Sequence, residues 1–281
     1  MKDLFIVDSH THILPKFVDD NRDQFIASDT TFKELFSNGE KIVSVQTLID
    51  SMDKNSIDSS VVLGFGWTDK ELAKRCNDYI INSYNKYSSR IIPFCSINPL
   101  WGDCAITQVS DYKKIGVRGI GELHPTLQNF ELNDNFYQPF WDELKANNLP
   151  VVIHASEPVG HRYPGKGYLP ADKLVDFINN NQNLKIICAH WGGGLIFYSL
   201  MPEINSILDN VFFDSAASNY LYDNRIFDIA TRMMNSDKIL FGSDFPIISQ
   251  KAVLNSLNIS ITDELVKNKI LGVNIGNLLK Y

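Results

Sequence analysis

Six histidines are scattered through this sequence, and four of them, His10, His12, His154 and His190, fall at or just past the ends of short apolar runs. His10 and His12 stand two residues apart in DSHTH. In an extended strand that spacing puts both rings on one face, about 6.6 Å apart along the chain. Two imidazoles so placed can close on one metal ion with bonds of about 2.0–2.1 Å. Alone, such a pair also describes two hydrogen-bonded core histidines, but other segments agree with the first reading. VVIHAS carries His154, IICAHWGGG carries His190 with glycines behind it to open space, and KILFGSDFP carries Asp244. Burying several imidazoles and a carboxylate together is costly unless a cation organises them.

Further polar residues stand near the same strand ends. Glu122 closes the apolar run in RGIGELHP, where it pairs with Arg118 or caps the next helix. His124 shares its face if the strand continues, which suits metal or substrate contact or a rim hydrogen bond. The loop SEPVGHRYPGKG offers Glu157, His161, Arg162 and Lys166, and we read it as facing a substrate rather than as a solvated loop. Its two cations suit a carboxylate or phosphate. Asp8 is placed to orient a ligand imidazole through its second nitrogen, or simply to cap a loop. Asp214, in VFFDSAAS, points toward the same mouth. Trp67, Trp101 and Trp191 follow strand runs and either wall a pocket or pack at its rim.

These side chains need a frame that gathers strand ends. Eight strand candidates, Leu4–Asp8, Ser59–Gly64, Ile91–Ile97, Val117–Glu122, Val151–Ala155, Lys185–Ala189, Val211–Asp214 and Ile239–Ser243, alternate with amphipathic stretches such as Glu71–Tyr87 and Asp172–Asn181. Most are apolar throughout, the mark of a parallel sheet buried on both faces. The expected fold is therefore an α/β (β/α)8 TIM barrel, one domain over 1–281, whose C-terminal strand ends converge on the active site. A doubly wound sheet would more often carry a glycine-rich turn after its first strand, where this chain has SHTH. Residues 13–40 read as a long loop insertion over the barrel mouth, with TFKE (Thr31 to Glu34) as a capping box for a short helix.

Composition narrows the classes of partner. The net charge of −7 argues against a large nucleic-acid footprint. No apolar run approaches the ~20 residues of a membrane helix, and the opening MKDLFIVDSH is too short in apolar residues for a signal-peptide core. The four cysteines form no CxxC pair and sit in apolar runs, so they are expected to be reduced, buried and in the cytoplasm.

Taken together, HTH, His154, His190 and Asp244 resemble the metal-dependent amidohydrolase superfamily. The flanking segments DSHTHILP, HASEPVGHRYPGKG, AHWGGGL and FGSDFP are similar to its amidohydrolase-related branch, from about Ile6 to Pro246. The resemblance implies a TIM barrel holding one or two divalent metals, zinc first, with manganese or iron as alternatives. By position, His10, His12 and His154 would be ligands. His190 would hold a second metal or polarise the substrate, and Asp244 would bind metal and move a proton. Glu122 stands where two-metal members place a bridging carboxylate, and IGE resembles the metal-dependent deoxyribonuclease branch. The implied enzyme is a hydrolase in which metal-activated water attacks an amide, lactone or ester carbonyl of a small molecule. His190 and the metal would stabilise the oxyanion. The alternative on the same scaffold is a non-oxidative decarboxylase or hydratase of an aromatic or unsaturated acid. A decayed, non-enzymatic scaffold would have lost a ligand, and none is missing. His124, Glu157, His161, Arg162 and Trp191 are the expected substrate contacts, and the resemblance is compatible with a homodimer.

Overall fold

The computed structural model describes residues 5–280, so Leu4, the first residue of the first strand expectation, lies outside the described residues. Eight parallel strands follow one another around a ring in chain order. They are β1 (Val7–Thr11), β2 (Ser59–Val62), β3 (Ile91–Cys95), β4 (Gly119–Leu123), β5 (Val151–Ile153), β6 (Ile186–Cys188), β7 (Val211–Asp214) and β8 (Ile239–Leu240). Backbone bonds from Ser9 N to Phe241 O (2.7 Å) and His12 N to Phe245 O (2.8 Å), with a parallel bridge between Thr11 and Phe245, join the last strand segment to the first. This is the (β/α)8 barrel.

The period of two in each strand divides its side chains between two cores. Val61, Leu63, Phe94, Val152 and Ile187 fill the barrel interior, where Ile275 and Leu278 of the helix Asn274–Leu279 join them. Their neighbours Val62, Cys95, Val151, Ile153 and Ile186 face the outer helices. Two strands break this alternation at chemically important points. Val7 belongs to the interior, so plain alternation would turn His10 outward; the pairing register of β1 shifts between Asp8 and Thr11. In β4, Ile120 and Leu123 both face outward across a register shift that lies around Glu122. Such irregularities re-aim side chains next to active sites. Gly121 makes the second one feasible, because its φ is +134° and a Cβ there would come within 2.6 Å of Val152 O.

Residues 13–40 differ from the expected loop. They fold into α1 (Lys16–Asp20), α2 (Arg22–Ser28) and α3 (Thr30–Phe36), which pack Val18, Phe25, Phe32 and Phe36 with Phe65 and Trp67 as a separate cluster over the barrel mouth. The capping box at Thr31 is also corrected. Asp29 caps α3, accepting from Phe32 N at 2.7 Å, while its other oxygen accepts from Thr68 N (2.7 Å) and Asp69 N (2.6 Å). Thr31 instead donates to Gly66 O at 2.6 Å. One carboxylate thus starts the helix and ties it to the loop after β2.

All four cysteines are free; Cys76, Cys95 and Cys188 are buried, but Cys104 is only half-buried. No helix among the described residues is long and apolar enough to cross a membrane.

Candidate metal centre

The chain brings His10, His12, Glu122, His154, His190 and Asp244 together at the C-terminal end of the barrel, all of them buried. His10 Nε2 and His12 Nε2 are 3.1 Å apart. Glu122 Oε2 stands 3.6 and 3.7 Å from these two nitrogens, and Asp244 Oδ1 stands 3.7 and 3.5 Å from them. Ligands about 2.1 Å from a common ion are separated by roughly 3.0–3.4 Å, so the spacing is close to that of a cation's shell. The other carboxylate oxygen, Glu122 Oε1, lies 2.9 Å from His154 Nδ1 and 3.2 Å from His190 Nε2. Glu122 therefore stands between two pairs of imidazoles, one oxygen toward each, and the described residues contain two candidate ligand groups that share it.

The outer nitrogens explain why positive charge belongs here. His10 Nδ1 meets Asp214 Oδ2 at 2.8 Å, His12 Nδ1 meets Leu63 O at 3.2 Å, His154 Nε2 meets Lys166 O at 3.2 Å, and His190 Nδ1 meets Ala216 O at 3.3 Å. Each of those partners only accepts, so each outer nitrogen carries the proton. A neutral ring then turns a bare lone pair inward. Two such lone pairs at 3.1 Å, with two carboxylates beside them, repel one another unless a cation sits among them. The donor set fits a divalent metal of the zinc or manganese type. The same demand shows in protonation. Burial opposes charge on His190, yet Glu122 outweighs it and raises the pKa to about 9. Burial likewise opposes charge on His10, and Asp214 and Glu122 lift it well above the usual value. His12, the second of the facing pair, is pushed down to about 4 by burial and by His10.

Asp214, not Asp8, meets the outer nitrogen of a clustered imidazole. Asp8 accepts from Ser243 N (2.9 Å), Ser243 Oγ (2.6 Å) and Gln250 Nε2 (2.9 Å), bracing the loop that carries Asp244. Asp214 holds His10 with one oxygen and accepts from His190 N at 2.9 Å with the other. Asp214→Asn should present an amide N–H to His10 Nδ1 and favour the wrong tautomer. We expect metal affinity to fall about 10- to 100-fold with the fold intact, measured by calorimetric metal titration.

His190 and Asp244 both adopt left-handed backbone, at φ 56° and 67°. For residues with a Cβ this is a strained conformation of the kind found at functional sites. The chain after His190 passes very close to the end of β5. At Gly193 φ is +56° and a Cβ would lie 2.6 Å from Ser156 N. Since backbone faces backbone there, Gly193→Ala should cost at least about 2 kcal/mol in urea unfolding.

A cavity of about 370 Å³ opens above this cluster. His124 lines it, stacked on His154 at 4.1 Å between centroids, with Nε2 bonded to Gly165 O at 2.8 Å. Other expected contacts lie elsewhere. Glu157 accepts from Tyr222 OH at 2.6 Å and, like Arg162, lines a neighbouring cleft beyond Tyr163 and Pro164. His161 is exposed and packs edge-on to Tyr220. Trp191 is fully buried behind the site, donating to Ser218 Oγ at 2.7 Å, because its left-handed backbone turns the ring into the core. Trp67 packs in the helical cover and Trp101 against its edge, so neither lines the cavity. Residues that sequence reasoning missed do line it, notably Lys41, Phe65 and Tyr163. Phe65 stacks on His12 at 4.1 Å. Tyr163 sits in HRYPGKG between residues that were singled out, and its hydroxyl has no hydrogen-bond partner among the described residues.

Buried imidazoles and carboxylates converging at the strand ends of a TIM barrel define a metal-dependent enzyme. The chain belongs to the amidohydrolase family, whose match covers residues 7–280. Over 134 residues it is 28% identical to the 2-keto-4-carboxy-3-hexenedioate hydratase of Sphingobium sp. (strain NBRC 103272 / SYK-6), a match spanning 40% of this chain and only 38% of the hydratase. Among solved structures it is similar to the 5-carboxyvanillate decarboxylase of Novosphingobium aromaticivorans DSM 12444, complexed with manganese and 4-hydroxy-3-methoxy-5-nitrobenzoic acid. The TM-score is 0.81 at 15% identity, over 99% of this chain and 97% of that one. It is also similar to a probable 2-pyrone-4,6-dicarboxylic acid hydrolase of Acinetobacter baumannii with citric acid bound. There the TM-score is 0.67 at 16% identity, over 98% and 99% of the two chains. At these identities the structural likeness concerns the fold.

Proposed function

We propose that this protein is a hydrolase that cleaves an amide, lactone or ester carbonyl of a small molecule, with Glu122 placed between two groups of residues that would each hold a cation. The observation that carries this reading is the split of the Glu122 carboxylate, one oxygen 3.6 and 3.7 Å from the His10–His12 pair and the other 2.9 and 3.2 Å from the His154–His190 pair. His10, His12 and Asp244 would hold one cation, His154 and His190 the other. Bound there, a divalent ion supplies Lewis acidity and brings water ionisation toward neutral pH. Asp244, at the floor of the cavity, takes the proton of the attacking water and returns it to the leaving group. Tyr163 faces the same space. Burial and the charges of Glu157, Asp244 and Glu122 push its phenol pKa up, so it remains a donor for the developing oxyanion. His124 walls the cavity beside His154 and orients the substrate.

A second reading, a decarboxylase or hydratase, is favoured by the hydratase match and by the manganese-bound decarboxylase with the same barrel. One experiment separates them. Protein loaded with zinc or manganese is analysed for metal content and offered lactones, cyclic amides and esters beside aromatic and unsaturated acids. Two ions per chain with acid released from the former support hydrolysis. One ion per chain with carbon dioxide release or hydration of the latter supports the lyase. Full activity after chelation would end both.

A further inference from the structure

The cavity above the ligands is walled mainly by apolar side chains from three directions. Leu35 and Phe36 come from α3 and Ile42 from the segment after it, Phe65 from the loop after β2, Leu221 from the short helix after β7 and Ile247 from the loop after β8. Beyond the ligand cluster, the only charged residues in its lining are Glu40 and Lys41, next to each other in sequence after the helical cover and both outside the barrel. Lys41 is exposed and has no ion pair or hydrogen bond among the described residues. The other cations near the mouth are spent or turned away. Lys166 donates to Val159 O (2.6 Å) and His161 O (3.0 Å), and Arg162 faces the neighbouring cleft.

The floor of the cavity already holds the carboxylates of Glu122 and Asp244. A substrate carboxylate placed against the apolar walls, away from the cations that Glu122 and Asp244 would help to hold, would be desolvated with no counterion beside it. A carboxylate at Lys41 would have one partner, and a second carboxylate would have none. Apolar walls reward apolar bodies instead; one methylene in such a pocket discriminates roughly 10-fold or more.

We infer that the substrate is a small compound whose body, beyond the reacting carbonyl, is an apolar ring or branched chain carrying at most one carboxylate, with Lys41 as the partner of that one. The inference rests on the reading of this cavity as the substrate site of the metal centre, and it makes Lys41 a specificity-determining residue.

Hydroxamates, which combine a metal-binding head with a variable body, test it. On metal-loaded protein, benzohydroxamate should bind at least about 10-fold tighter than acetohydroxamate, since the ring is buried. 3,5-Dicarboxybenzohydroxamate should bind at least about 10-fold weaker than benzohydroxamate. Lys41→Met should weaken 4-carboxybenzohydroxamate several-fold more than it changes benzohydroxamate. In a parallel arm on chelated protein, saturation-transfer NMR should detect benzamide and not isophthalate. Equal binding of acetohydroxamate and benzohydroxamate, or a dicarboxylated ring that binds as well as the plain one, overturns the inference. The two arms keep it apart from the metal reading. Protein that takes up no metal yet still prefers benzamide over isophthalate would refute the metal centre and uphold the apolar substrate. Protein that takes up metal but prefers the dicarboxylates would do the reverse.

Discussion

Asp244→Asn should leave a folded, metal-binding protein whose kcat is about 10³-fold lower, a loss of roughly 4 kcal/mol in transition-state stabilisation. The residue is placed for proton transfer by backbone rather than by its own side chain. Its N–H donates to His10 O at 2.9 Å, its carbonyl accepts from Ile247 N at 2.8 Å, and the preceding Ser243 is anchored on Asp8. An isosteric amide therefore keeps the loop in place, including its left-handed φ of 67°. Asparagine retains an oxygen toward His10 and His12 but cannot take up a proton. The kcat should fall much further than KM changes, under saturating metal and with metal content measured on the same sample. A loss below 10-fold would remove Asp244 from the proton path and leave it a ligand only.

The convergence of these side chains was legible because each histidine ends an apolar run, and a closed ring of parallel strands sends such ends to one place. The aim of His10 and Glu122 was not, because it depends on register shifts in β1 and β4 that no hydrophobic pattern announces. Asp8 and Asp214 look alike in sequence, a carboxylate at a strand end. Alternation turns Asp8 outward to Gln250, while Asp214 reaches a ring 204 residues away. Trp191 reads as a pocket wall until its positive φ is known. The three short helices over the mouth carry too few turns for a periodic signal, and Asp29 caps the last of them through contacts to Thr68 and Asp69 that lie about 40 residues on. Lys41 and Tyr163 come from irregular segments, where position is set by packing against the barrel rather than by local pattern.

Glu122→Gln separates the metal reading from folding most cleanly. In the protein, Glu122 Oε1 is 2.9 Å from His154 Nδ1 and 3.2 Å from His190 Nε2, while Oε2 faces His10 and His12. Glutamine keeps the shape and offers one oxygen and one amide N–H. The N–H can donate to an inward imidazole lone pair, so the metal-free variant should still fold, but His10 and His190 lose the carboxylate that favours their charge, and its unfolding free energy should fall by roughly 1–3 kcal/mol. Metal binding behaves differently. A neutral amide cannot bridge two cations, so content should drop from two ions per chain toward one, and kcat should fall at least about 100-fold. The loss should also appear as missing stabilisation. An ion present at 100 times its Kd adds about 2.7 kcal/mol to the folded state, and the variant should lose that increment for one of its two sites. Unfolding curves with and without added metal read this directly. A variant that still held two ions and kept its kcat would make Glu122 a bystander and return the site to the one-metal lyase reading.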